Sequence, residues 1–120
     1  MFPQPVREIA GCAEEIGALV SYDGAQVLGL IAGKRFQDPF SEGARVICGS
    51  THKTFPGPQG GLILSKEHDD DEKRIQQTVH NSLIAGAHPN LIAVLGVVFS
   101  ELIAFGEEYA GCCRRVRRYL

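Results

Sequence analysis

The chain has 120 residues, 44% of them hydrophobic, 22% charged and 8% aromatic, which suffices for one core and excludes a disordered or collagen-like polymer. Twelve Lys and Arg against fourteen Asp and Glu leave a net charge of −2, so no overall basic field points to nucleic acid or an anionic membrane. The cysteines, Cys12, Cys48, Cys112 and Cys113, form neither a C-x-x-C pair nor a Cys/His array at zinc spacing, and read as free thiols of a reducing compartment. The opening Met1-Phe2-Pro3-Gln4-Pro5 lacks the charged and apolar regions of an export signal, and the expectation is a cytoplasmic protein.

In chain order, Val6, Ile9, Ala10, Ala13 and Ile16 fall at helical spacing and Gly17 stands where a C-terminal cap belongs, so the first element is a helix from Pro5 to Ile16. Leu19 to Tyr22 is a short β-prone run closed by Asp23-Gly24, which puts Asp23 at a strand's carboxyl end. Val27 to Ala32 reads as a short helix, and Asp38-Pro39 as a turn or helix start. Arg45 to Gly49 is a second buried strand, followed by polar Ser50 to Thr54 and a Gly/Pro-rich turn; Leu62 to Ser65 is a third strand. The acidic cluster from Glu67 to Glu72 opens a helix through Val79, and Pro89 starts a long one reaching about Ala110. The alternation predicts a largely parallel sheet covered on both faces, an α/β fold.

Leu91 to Phe105 is apolar but interrupted and shorter than the roughly 20 residues a bilayer span needs, so it is expected to be a buried helix. Its stripe of Leu91, Leu95, Val98, Leu102 and Phe105 is expected to be core, with self-association if part of it stays uncovered. His68 to Glu72 suits a solvated helix start better than a metal, and His80 and His88 read as surface histidines, so no metal site is expected. The arginine-rich end matches no nucleic-acid-binding pattern.

Ligands of open α/β sheets collect at the carboxyl ends of strands, where both Asp23 and the Ser50–Thr54 segment are expected. Lys53, held between a buried strand and a Gly/Pro turn, has the setting of an amine that attacks a carbonyl, and Schiff-base chemistry is its natural use.

The run Ser50-Thr51-His52-Lys53-Thr54-Phe55-Pro56-Gly57-Pro58-Gln59-Gly60-Gly61 resembles the cofactor-lysine signature of the serine hydroxymethyltransferases, T-T-H-K-T-x-x-G-P-x-G-G. Asp23-Gly24-Ala25-Gln26-Val27-Leu28-Gly29-Leu30 is similar to that family's D-x-A-H-x-x-G-L segment, thirty residues before the lysine, with Gln26 in place of the histidine. The resemblance implies that Lys53 carries pyridoxal 5′-phosphate covalently, that Asp23 faces the pyridine nitrogen, and that His52 lies near the phosphate. It sets Thr51 beside the cofactor linkage and Gln26 at the cofactor as well. Of Ala85-Gly86-Ala87-His88-Pro89, which falls where the family has Gly-Gly-Pro, only Gly86 matches.

The implied fold is a partial large domain of the pyridoxal phosphate-dependent transferase type, aspartate-aminotransferase-like and three-layered α/β/α. It would take in residues 1–110, with 111–120 a basic tail that departs from the family pattern and reads like translation past a frameshift. The implied reaction interconverts serine and glycine with tetrahydrofolate as the one-carbon carrier; a threonine aldolase or transaldolase exchange is the alternative on the same scaffold. Family members are several times longer. The implied partners are therefore an amino acid substrate and either a second copy in a homodimer or a missing complementary chain, as in a split enzyme, with no nucleic acid and no membrane. An inactive fragment or an interaction module is the competing reading.

Overall fold

The computed structural model describes residues 2–66, 70–83, 86 and 88–116. The first helix, α1 (Val6–Glu15), starts after Pro5 and stops at a left-handed Gly17 (φ 64°). There the Ala18 N–H donates to the Ala13 carbonyl at 2.8 Å and the Gly17 N–H to Glu14 at 3.1 Å. This closed cap needs a positive φ, which glycine adopts without a Cβ clash.

Strand β1 (Ser21–Asp23) lies two residues later than the β-prone run suggests, yet Asp23 still ends it. Helix α2 (Leu28–Ala32) follows. Strands β2 (Val46–Ser50) and β3 (Gly61–Ser65) complete a sheet of order β1-β2-β3. β1 runs parallel to β2, with Ser21 beside Val46 and Asp23 beside Cys48. β2 and β3 are antiparallel, with Ser50 opposite Gly61 and Val46 opposite Ser65. The expectation of a largely parallel sheet is corrected here. Residues 51–60 contain no helix, and a parallel return needs a crossover of a dozen or more residues, usually helical.

Asp38 does not open a helix: its carboxylate accepts from the Phe40 N–H at 3.2 Å and forms a turn. Helix α3 (Asp70–Thr78) continues into a π-helical turn, Val79–Leu83, which the sequence pattern does not announce. Residues 67–69 of the acidic run, including His68, lie outside the described residues, as do Ala85, Ala87 and 117–120.

Helix α4 (Pro89–Val116) runs past Ala110, and Cys113 packs against the core. That core gathers Val6, Tyr22, Leu28, Ile47, Phe55 and Val98, each of which stabilises by about 1.5–3 kcal/mol if fully withdrawn from water. α4 meets α2 where Gly33 and Gly106 lie backbone to backbone. The expectation of a buried helix is overturned for much of α4, because Ile103 is 87% exposed and Val97, Phe105 and Ile92 are also open. By length and composition α4 could cross a membrane, against the expectation of a stretch too short to do so; core helices of soluble proteins pass the same test.

Candidate active site

Parallel pairing of β1 with β2 brings the carboxyl ends of both strands to one side, where the Gly24 N–H bonds the Cys48 carbonyl at 2.7 Å. The chain leaves β1 through Asp23 and β2 through the loop carrying Lys53, and both residues line an open cleft of about 630 Å³. Gln26, Tyr22 and Phe36 share its wall. Asp23, Gln26 and Lys53, spread over thirty positions of sequence, thus meet on one surface.

Asp23 accepts the Ala25 N–H on Oδ1 at 2.9 Å, a local turn that fixes the carboxylate. Its other oxygen has no protein partner among the described residues. Tyr22 donates to Gln37 Oε1 at 3.3 Å; burial, then the Glu42 and Asp23 carboxylates, raise its phenol above the ordinary tyrosine value.

Thr51 and His52 are not on the cleft wall. Thr51 is 1% exposed, and its hydroxyl donates to the Pro58 carbonyl. Its N–H bonds the Gly60 carbonyl at 3.1 Å, and its carbonyl accepts the Gly57 N–H at 2.7 Å. Thr51 therefore shapes the loop from inside. His52 is exposed and accepts the Gly60 N–H on Nδ1 at 3.3 Å, an arrangement that assigns the proton of the neutral ring to Nε2 and turns a donor outward.

Two residues given no role by the sequence, Thr54 within the lysine motif and Tyr109 far outside it, hold the loop from behind. Thr54 donates its hydroxyl to the Gln26 carbonyl at 2.9 Å and accepts the Gly29 N–H at 3.3 Å. The Tyr109 hydroxyl, from α4, donates to the Thr54 carbonyl at 2.8 Å. The clue in the sequence was a lone tyrosine on an apolar helix, since a buried phenol needs a partner. His80 and His88 are exposed. Among the described residues no three His, Cys, Asp or Glu side chains converge as metal ligands.

A profile of the serine hydroxymethyltransferase family matches residues 4–117. The serine hydroxymethyltransferase of Methanosphaera stadtmanae is 53% identical over 110 residues, covering 92% of this chain and 26% of that protein. Its counterpart in Thermoplasma volcanium is 49% identical over 110 residues, with the same coverage. The Thermococcus kodakarensis counterpart is 49% identical over 111 residues, 91% of this chain and 26% of that protein. The chain spans about a quarter of the length of these curated relatives.

Proposed function

The chain belongs to the serine hydroxymethyltransferase family, its α/β fold being part of that family's large domain, and on that premise we propose that it supplies the lysine-bearing half of a pyridoxal phosphate site. The reaction would interconvert serine and glycine, with tetrahydrofolate carrying the one-carbon unit; threonine aldolase-type cleavage is the alternative chemistry. The observation that carries the reading is the meeting of Lys53 and Asp23 on one cleft at the carboxyl ends of parallel strands.

The donor set fits the cofactor, which needs an amine for its carbonyl and an anion for its ring nitrogen. When bound, the cofactor supplies an electron sink for the pair released as a bond to the substrate Cα breaks. Lys53 Nζ would hold the group covalently, and its amine would be the base available to move a proton at that carbon. Asp23, already fixed through Oδ1, would face the pyridine nitrogen and keep a proton there by its charge. The outward Nε2–H of His52 suits a phosphate oxygen, and Gln26, on the cleft wall where the family motif has histidine, would stand beside the cofactor. Thr51 acts by fixing the loop rather than by contact.

The open face of α4 favours a site completed by further polypeptide, whether the remainder of one longer protein, a second copy or a complementary chain. The test is to mix the chain with pyridoxal phosphate, reduce with borohydride and map the labelled peptide. One label per chain, on Lys53, absent from Lys53→Ala and not transferred to Lys34, Lys66 or Lys73, supports the reading. Scattered or absent labelling of a folded chain overturns it for this polypeptide.

A further inference from the structure

The peptide that follows Lys53 is gripped from three sides. The Thr54 hydroxyl bridges the Gln26 carbonyl and the Gly29 N–H. Gly29 lies so close beneath that a Cβ there would overlap the Thr54 carbonyl and come within 2.8 Å of Phe55 N. Phe55 is buried and meets Phe99 of α4 edge to face, with centroids 5.7 Å apart. The Thr54 carbonyl, which Gly29 flanks, also accepts the Tyr109 hydroxyl at 2.8 Å.

We propose that Tyr109 is a positioning residue for Lys53: its hydroxyl, reaching from α4, fixes the carbonyl of the next residue and so aims the amine into the cleft. The inference rests on the reading of Lys53 as the cofactor lysine. Three features support it. The bond spans 55 residues of sequence, so together with the Phe55–Phe99 contact it ties the lysine loop to a helix remote from it in the chain. Phenylalanine at 109 would keep the ring packing and lose the hydroxyl, which bonds the Thr54 carbonyl across the fold and Cys113 within α4 itself. Burial, followed by the neighbouring Cys113, pushes the phenol up to about 12, so the donor stays protonated at ordinary pH.

The test compares wild type, Tyr109→Phe and Leu102→Ala, the last loosening α4 packing without removing a hydrogen bond. The readouts are hydrogen exchange of the 51–60 peptide relative to α4 peptides and the pyridoxal phosphate concentration that half-labels Lys53. Losing one neutral hydrogen bond predicts roughly five-fold faster loop exchange and roughly five-fold weaker labelling in Tyr109→Phe, with α4 exchange unchanged. In Leu102→Ala, loop and helix exchange should rise together. Loop exchange within two-fold of wild type, or a rise shared equally by loop and helix in Tyr109→Phe, overturns the proposal. Loop exchange decides even if wild type fails to label Lys53, a result that would count against the cofactor reading instead. A variant-free check is a slowly exchanging phenolic proton on wild-type Tyr109, cross-relaxing with Thr54 or Phe55; a phenolic proton in fast exchange with water refutes the bond.

Discussion

Replacing Gly33 by alanine is expected to split α2 from α4, while the same change at its neighbour Gly106 is expected to be harmless. A methyl at 33 would overlap the Gly106 carbonyl oxygen and sit 2.5 Å from the Ala110 Cβ, both on α4. Carbon atoms in contact keep about 3.5–4.0 Å, so α4 has to withdraw by about 1 Å along a seam that also carries buried Val98. Overpacking of this kind costs about 1–3 kcal/mol. A methyl at 106 meets the Gly33 Cα at 3.6 Å, an ordinary contact, and alanine within a helix is favoured over glycine by about 0.8–1.0 kcal/mol. The two variants should therefore differ by about 2–4 kcal/mol. With a urea slope of about 1–3 kcal/mol/M, their midpoints of unfolding, followed by far-ultraviolet circular dichroism, should lie about 0.7 M or more apart. Equal midpoints, or Gly106→Ala as the weaker protein, would refute the close backbone approach.

Thr51→Val keeps the side-chain shape and strands the Pro58 carbonyl, so thermal unfolding should report a loss of about 1–3 kcal/mol. Lys34 is exposed with φ 54° at the end of α2, where its N–H bonds Ile31 and that of Arg35 bonds Leu30; Lys34→Gly relieves the Cβ clash and should raise stability by about 0.5 kcal/mol in the same assay. Tyr109 should ionise near pH 12 in an absorbance titration, above the value of 10.0 of an unperturbed tyrosine. Because the folded state holds this proton after the unfolded chain releases it near pH 10, its contribution is complete below pH 10 and lost between about pH 10 and 12. In Tyr109→Phe that alkaline loss should shrink.

Asp23 and Lys53 were legible because each stands where a β-prone run gives way to turn residues, and such ends gather on one side of parallel strands. The direction of β3 was not, since Leu62 to Leu64 reads as a buried strand whichever way it runs; only the helix-free 51–60 connection decides the pairing. Thr51 looked like a contact residue from its place in the motif, yet its hydroxyl is spent on Pro58 seven positions ahead. The exposure of α4 was concealed by its hydrophobicity: Ile103 and Val97 carry the composition of a core while the described residues leave them open. Tyr109 stood out only as a lone tyrosine on an apolar helix; its partner is a main-chain carbonyl 55 residues away, which no side-chain pattern can mark.

The loop that carries Lys53 is closed twice, over two different lengths of chain. Ser50 pairs with Gly61 across the short 51–60 connection, and loops of about ten residues close in about 10–100 ns. The bond from Tyr109 closes a segment of 55 residues, and that longer loop carries about 1.5 kcal/mol more closure entropy than one of roughly ten. The hairpin around Lys53 can therefore form as soon as β3 is available, whereas the orientation of the amine waits until α4 has folded and docked. Shape comes early and aim comes late, so a folding intermediate with the sheet intact and α4 undocked would hold a lysine loop of native outline whose amine is not yet directed at the cleft.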